Sequence, residues 1–147
     1  MLGELTREEI EQVLLREMVG RIGCHAEGRT YVVPITYAYD GDGVYAHSAD
    51  GLKVRTMRAN PKVCFEVDQI ENLARWRSVI AWGTYEELGS AEEDRAAALL
   101  RSRLTSMSPS ETARIHAPLP ESQATNGRSR AIFYRIRLEE KTGRFER

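Results

Sequence analysis

The 147-residue sequence contains only two cysteines, and neither belongs to a closely spaced pair of Cys or His ligands of the kind that marks a zinc site. Cys24 and Cys64 both lie in apolar, strand-like contexts. In a chain without a secretion signal, such cysteines are expected to be buried thiols rather than the two halves of a disulfide. The sequence therefore predicts neither a metal site nor a disulfide framework.

Long apolar runs and an excess of either charge are also missing. No run approaches the roughly 20 apolar residues that a membrane span requires. The 21 basic residues nearly balance the 22 acidic ones, so no net field favours nucleic acid or an anionic membrane surface. The N-terminal residues 1–12 are acidic and helical in pattern, unlike a signal peptide. We expect a single cytoplasmic domain, residues 1–147, that binds neither nucleic acid nor membrane.

The order of predicted elements favours a mainly β fold. Thr6 and Glu9 have the spacing of a capping box, which predicts a helix over 6–17. A short helix over 52–59 is predicted between Gly51 and Asn60-Pro61, and a third helix begins near Ser90. Strands are predicted over 21–25, 31–39, 44–48, 62–67, 76–88 and 131–139, and loops over 68–75 and 106–130. Six strands joined mostly by tight turns indicate an antiparallel barrel with helices packed outside.

Two residues within predicted strands indicate irregular backbone. Pro34 cannot donate to a sheet ladder, so its position is predicted to be unpaired, bulged or on an edge. One interpretation is a bend of the barrel; the other is a backbone left free to contact a ligand. Gly83 predicts a kink or bulge in the strand over 76–88.

A possible anion site lies where the strand over 44–48 leads into the helix over 52–59. A hydroxyl, an imidazole and two cations lie within nine positions: His47, Ser48, Lys53 and Arg55. The free N–H groups of a helix start favour an anion such as phosphate. The alternative is a solvated lysine beside a structural histidine. Adjacent strand residues also point to opposite faces, so His47 and Ser48 need not share one site.

Several segments together resemble a known family over nearly the whole chain. They are VPITY at 33–37, YAHSA at 45–49, GLK at 51–53, RANPKVCF at 58–65 and WRSV at 76–79. The chain resembles the pyridoxamine 5′-phosphate oxidase-like FMN-binding split barrels, in particular the branch that includes nitroimidazole-resistance proteins. The resemblance implies a six-stranded antiparallel split β-barrel with flanking helices. It also implies a homodimer that binds FMN in grooves between the two chains.

The resemblance further implies a set of site residues. Ser48 and Lys53 would hold the FMN phosphate, with Arg55 less firmly assigned, while the strand around Pro34 would meet the isoalloxazine ring. Trp76 or Trp82 would pack on the ring or belong to the dimer core. The implied cofactor-binding residues are Val33, Pro34, Ile35, Thr36, His47, Ser48, Leu52, Lys53, Trp76, Ser78 and Val79.

The implied function is an FMN-dependent oxidoreductase that reduces a small electrophile such as a nitro-aromatic compound. His47 would be catalytic, because an imidazole can donate a proton near neutral pH. Near the C-terminus Arg135, Arg137 and Arg144 lie in an alternating strand and a short tail where the true oxidase has an arginine-rich site, so pyridoxamine phosphate is not the expected substrate. Two alternatives remain: a non-catalytic flavin-binding or storage module, and a deazaflavin- or haem-using relative on the same barrel.

Overall fold

The computed structural model describes residues 1–107 and 131–147. These residues form eight strands and three helices. The strands are β1 (Leu2–Glu4), β2 (Val19–Ala26), β3 (Arg29–Thr36), β4 (Ala38–Tyr39), β5 (Gly43–Ser48), β6 (Lys62–Asn72), β7 (Arg75–Glu87) and β8 (Ile132–Glu146). The helices are α1 (Arg7–Arg16), α2 (Leu52–Ala59) and α3 (Ser90–Met107).

All strands belong to one antiparallel sheet that curls into a split barrel. The strand order is β3-β2-β6-β7-β8-β5-β4, and β1 pairs with the end of β8. The first and last strands of this order are joined in the chain by Tyr37 alone, whose N–H donates to the carbonyl of Met18 at 2.9 Å. The sheet therefore closes on itself around this residue, while β3 keeps one unpaired edge. The predicted mainly β, antiparallel barrel is confirmed.

Alternating side chains from the strands fill the barrel interior. Phe65 and Tyr37 are fully buried and meet edge to face with ring centroids 4.9 Å apart. Val13 and Leu14 of α1 close one end, where the Leu14 carbonyl accepts a hydrogen bond from the Tyr37 hydroxyl at 2.8 Å. Each such fully buried side chain contributes about 1.5–3 kcal/mol relative to an exposed one.

The local signals of the sequence are confirmed by the structure. Thr6 Oγ1 accepts from the N–H of Glu9 at 3.2 Å, and Glu9 Oε2 accepts from the N–H of Thr6 at 2.8 Å, which completes the capping box of α1. Glu27 and Gly28, between β2 and β3, have φ values of 54° and 76°. These positive values match a tight hairpin turn. Helix α2 has the predicted bounds.

The predicted loop over 68–75 is wrong. β6 continues to Asn72 and β7 begins at Arg75, so only 73–74 form the turn, in which Asn72 Oδ1 accepts from the N–H of Ala74 at 2.8 Å. Polar residues are compatible with this hairpin because the hydrogen bonds of the ladder join backbone groups and do not depend on the side chains. The prediction failed because it treated polarity as a loop signal.

Three other strand predictions need correction. The last strand extends to Glu146 instead of ending at 139, because the strand also pairs with β1 and with the start of β7. The strand predicted over 31–39 is divided at Tyr37, and Leu2–Glu4 adds a strand that no pattern indicated. Six predicted strands therefore become eight. Residues 106 and 107 end α3 rather than beginning a loop, and the rest of that predicted loop lies outside the described residues.

The irregular positions have distinct structural causes. Pro34 lies on β3, the edge strand, opposite Arg21 in an uninterrupted register. An edge is where a residue without an N–H donor is tolerated, so no bulge is needed. Gly83 lies at a register shift between β7 and β8, which confirms the predicted bulge. A Cβ on Gly83 would lie 2.2 Å from the carbonyl oxygen of Arg137, so the two strands approach too closely for any other residue.

Both cysteines are free thiols. Cys24 is buried and Cys64 is half-buried. Within residues 1–107 and 131–147, no cluster of three or more His, Cys, Asp or Glu side chains is arranged to hold a metal ion. None of the described helices combines the length and hydropathy that crossing a membrane requires.

Candidate functional site

The corner between β5 and α2 presents unsatisfied backbone donors. Gly51 is the N-cap of α2 and supplies no side-chain hydrogen bond. The first helical N–H with an acceptor is that of Arg55, which donates to the Gly51 carbonyl at 3.1 Å. The N–H groups of residues 52–54 find no acceptor in the described part of the chain. These donors and the positive end of the helix dipole make the corner suitable for an anion.

Lys53 adds a side-chain cation to this corner. Its ammonium group is half-buried, and burial lowers the pKa of Lys53. Among the described residues, no carboxylate lies within ion-pair distance of Lys53 or of the exposed Arg55. A partly desolvated cation without a counter-ion is stabilised by an incoming anion. Lys53 therefore has the environment expected of a phosphate ligand.

An ion-pair network holds the corner in place. Arg58, in the last turn of α2, reaches Asp50 at 3.2 Å and also pairs with Glu87 at the end of β7. The Tyr85 hydroxyl donates to the same Glu87 carboxylate at 2.9 Å. The Arg58 guanidinium holds the pKa of Glu87 below its usual range. Sequence analysis did not identify this network, because Arg58 and Glu87 are 29 positions apart and only the sheet register brings them together.

The structure separates His47 from Ser48. Ser48 Oγ donates to the carbonyl of Ala49 at 2.7 Å, on the strand face that it shares with buried Ala46. His47 shares the opposite face with Tyr45 and packs edge to face on Phe133, with ring centroids 5.5 Å apart. The two side chains therefore leave β5 on opposite sides. Of the pair, Ser48 faces the same side of the strand as the barrel interior, and His47 faces the aromatic cluster beside α3.

The predicted ring-binding strand borders the split of the barrel. Among the described strands β3 pairs only with β2, so its other edge offers backbone groups along 29–36 that no described strand pairs. Val33 and Ile35 face the core, whereas Pro34 and Thr36 are exposed. The β4–β5 ladder ends at the pair Ala38–Tyr45. If that register continued it would place Thr36 opposite His47, so β3 and the end of β5 border the same opening.

The predicted site residues of β7 lie on a different part of the barrel. Val79 is fully buried in the core, so only its backbone can reach a ligand. Trp76 and Ser78 are half-buried, two residues apart on the alternate, outer face. β2 and β6 separate β3 from β7, and neighbouring strands lie about 4.8 Å apart. Measured perpendicular to the strands, Trp76 and Ser78 are therefore about 14 Å from Pro34.

A charged cluster occupies the intervening outer face. Arg21 on β2 lies 3.5 Å from a Glu66 oxygen and 3.4 Å from an Asp68 oxygen, both on β6. Ser78 donates to Glu66 at 3.2 Å. Burial raises the pKa of Glu66, and the neighbouring Asp68 carboxylate adds to this shift. Sequence analysis did not identify this cluster, because it placed Asp68 in a loop and because the contact of Arg21 with β6 depends on the sheet register.

Comparison with known proteins identifies the family. The family model described as pyridoxamine 5′-phosphate oxidase matches residues 6–145. The chain belongs to the pyridoxamine 5′-phosphate oxidase family. An uncharacterised protein of Rhizobium meliloti is similar to this family member, with 32% identity over 95% of this chain and 92% of the relative. The family resemblance predicted from the sequence motifs is confirmed.

Solved structures agree with this assignment. An FAD-binding protein from Mesorhizobium loti is 32% identical, with a TM-score of 0.77, and the match covers 100% of this oxidase-family chain and 99% of the other. A candidate 5-nitroimidazole antibiotic resistance protein from Bacteroides thetaiotaomicron has a TM-score of 0.73 at 20% identity, covering 99% and 87% of the two chains. An FAD-binding protein from Mycobacterium smegmatis has a TM-score of 0.67 at 20% identity, covering 98% and 100%. The two matches at 20% identity establish the shared split-barrel fold.

Proposed function

We propose that this protein is a homodimeric FMN-dependent oxidoreductase that reduces a small electrophile. The observation that carries the proposal is Lys53, a half-buried cation without a carboxylate partner in the described residues. It lies in the first turn of a helix whose first N–H groups have no acceptor among the described residues, at the split of a barrel from a flavin-binding family. The terminal phosphate of FMN supplies the dianion that such a corner favours.

FMN, when bound, would supply the electron transfer, and the chain would bind the flavin, orient the substrate and protonate it. Lys53 and the start of α2 would hold the phosphate. The free edge of β3 would present backbone groups beside Pro34 and Thr36 to the flavin ring. The His47 imidazole would hold the proton that the reduced substrate takes up, on the side of β5 that faces Phe133.

The surface beside this edge supports the proposal of a dimer. Val32, Gly23, Cys64 and Trp82 form one continuous row across four strands of the outer face. In this row Val32 is 67% exposed and Trp82 is 41% exposed, which leaves apolar side chains facing solvent in a single chain. Packing a second copy on this face would bury them and bring the partner's outer face, with its Trp76 and Ser78, toward the flavin groove.

The cofactor is tested by measuring the absorption spectrum of the purified protein and the mass of the cofactor released from it. Protein purified without a cofactor is titrated separately with FMN and with FAD. We expect flavin absorption and the mass of FMN. Release of a molecule with the mass of FAD would show that the cofactor is FAD instead of FMN, as in the FAD-binding protein from Mesorhizobium loti. A haem or deazaflavin spectrum would select those alternatives, and failure to bind any flavin would overturn the proposal.

The shared groove is tested by sedimentation of the wild type and of Val32→Asp. We expect a wild-type dimer, and a variant that dissociates and binds FMN more weakly, because a carboxylate at this exposed apolar position would be buried unpaired in the interface. A wild-type monomer that binds FMN tightly would contradict the dimeric groove.

A further inference from the structure

A separate cavity of about 570 Å³ lies at the end of the barrel beside the C-terminus of α1. Its walls include Arg16 and Glu17 from the end of the helix, and Gln69, Arg77 and Phe145 from three neighbouring strands. The volume falls within the roughly 300–1,000 Å³ of typical small-molecule pockets. It is therefore large enough for a single-ring ligand.

Three of these residues form one row on the inner side of the barrel wall. Gln69 is paired with Arg77, and Arg77 with Phe145, in the β6–β7 and β7–β8 ladders. Arg77 is two residues from fully buried Val79, so alternation puts both side chains on the same face. It follows that Arg77 faces the mouth of the barrel, on the face opposite Trp76 and Ser78.

Arg77 has no ionic partner in the part of the chain that the structure describes. It is half-buried, and no carboxylate among residues 1–107 and 131–147 lies within ion-pair distance of it. Arg16, across the cavity, also lacks an ion pair within the described ranges. A half-buried guanidinium without a carboxylate is stabilised by a ligand anion, which it can bind through two parallel hydrogen bonds.

Three carboxylates, Glu17, Glu71 and Glu146, also line the cavity, and two of them contact other lining residues. Glu71 pairs with Arg75 at 3.4 Å, and Glu17 accepts a hydrogen bond from the Gln69 amide at 3.1 Å. The guanidinium of Arg147 lies 3.9 Å from the centroid of the Phe145 ring and is paired with a carboxylate outside the cavity at 3.0 Å. One face of the Phe145 ring is thus covered by Arg147, and a ligand beside the unpaired Arg77 would contact the edge of that ring.

We infer that this cavity binds a small aromatic anion, with its carboxylate or phosphate on Arg77 and its ring against Phe145. The site lies within one chain and on the inner face of the wall. It therefore requires neither the flavin nor the dimer of the proposed function.

The inference is tested by calorimetric titration of the full-length protein with benzoate, and with benzyl alcohol as the neutral analogue. We expect benzoate to bind and benzyl alcohol to bind at least about tenfold more weakly, since a charge-assisted hydrogen bond is lost. Arg77→Gln should weaken benzoate binding by at least about tenfold, and Arg77→Lys should restore part of it. Arg29→Gln, at the exposed first residue of β3, is the matched control and should bind as the wild type does.

Melting temperatures and FMN affinities of the same variants separate the possible failures. The variants should melt close to the wild type and bind FMN equally well, because the Arg77 side chain is not among the proposed flavin contacts. Absence of benzoate binding to the wild type, or equal binding to Arg77→Gln, would overturn the inference. Benzoate binding by a protein that takes up no flavin would support this site and refute the proposed function alone.

Discussion

Replacing Lys53 with alanine tests the phosphate corner most directly. Lys53 has no ion pair among the described residues, and its partly buried ammonium group is already desolvated. Its removal should therefore leave the free energy of unfolding nearly unchanged. The variant loses one charge-assisted contact to the phosphate, worth about 1.5–3 kcal/mol. At 1.4 kcal/mol for each factor of ten, FMN affinity should fall about tenfold to a hundredfold.

The assay is an equilibrium titration of flavin-free protein, followed by flavin fluorescence, with FMN and with riboflavin. Riboflavin lacks the phosphate, so its affinity should be almost the same for Lys53→Ala and the wild type. Arg55→Ala is the control. Two positions along a helix point about 200° apart, so Arg55 projects away from Lys53 and its loss should cost less FMN affinity. Equal losses of FMN and riboflavin affinity in Lys53→Ala would refute phosphate recognition by this lysine.

Three further changes test other parts of the molecule. His47→Ala should retain FMN but lose about 10²–10⁴-fold in turnover if the imidazole donates the proton; unchanged turnover would make His47 structural. Gly83→Ala should lower the free energy of unfolding by about 1–3 kcal/mol in denaturant titrations, because the new Cβ would overlap the Arg137 carbonyl. The control Gly89→Ala should change the free energy of unfolding little, because the space around its Cβ is open. Glu66→Gln should raise the melting temperature at neutral pH and have less effect in acid. Because the pKa of Glu66 is raised in the folded protein, the folded protein binds more protons than the unfolded chain between the two pKa values. The free energy of unfolding of the wild type therefore declines as pH rises from the unfolded-state pKa through the folded-state pKa. An equal effect of Glu66→Gln at neutral and acid pH would exclude this cause.

The sequence predicts those parts of the fold that depend on neighbours in the chain. The capping box at Thr6 and the ends of α2 are each specified within a few residues, and each is found as predicted. The extension of β6 past Val67 was missed, because the cross-strand partners that satisfy its polar backbone are determined by register rather than by local composition.

The same distinction applies to the candidate site. Lys53 was recognisable from its place at a helix start after a strand. The support given by Arg58 through Glu87, and the contact of Arg21 with Glu66, were not recognisable, since each joins residues that are distant in the sequence. The opposite orientations of His47 and Ser48 followed from strand alternation, but which of them faces the interior required the three-dimensional structure.

The uncapped start of α2 has a consequence for amide hydrogen exchange. The N–H groups of residues 52–54 lack acceptors in the described structure, so their hydrogens should exchange with deuterium quickly, while Arg55, whose N–H is bonded to the Gly51 carbonyl, begins the protected part of the helix. A phosphate in the corner would accept those hydrogen bonds and slow exchange at these few positions. Deuterium uptake could thus report occupancy of the corner residue by residue, even for an anion that carries no chromophore.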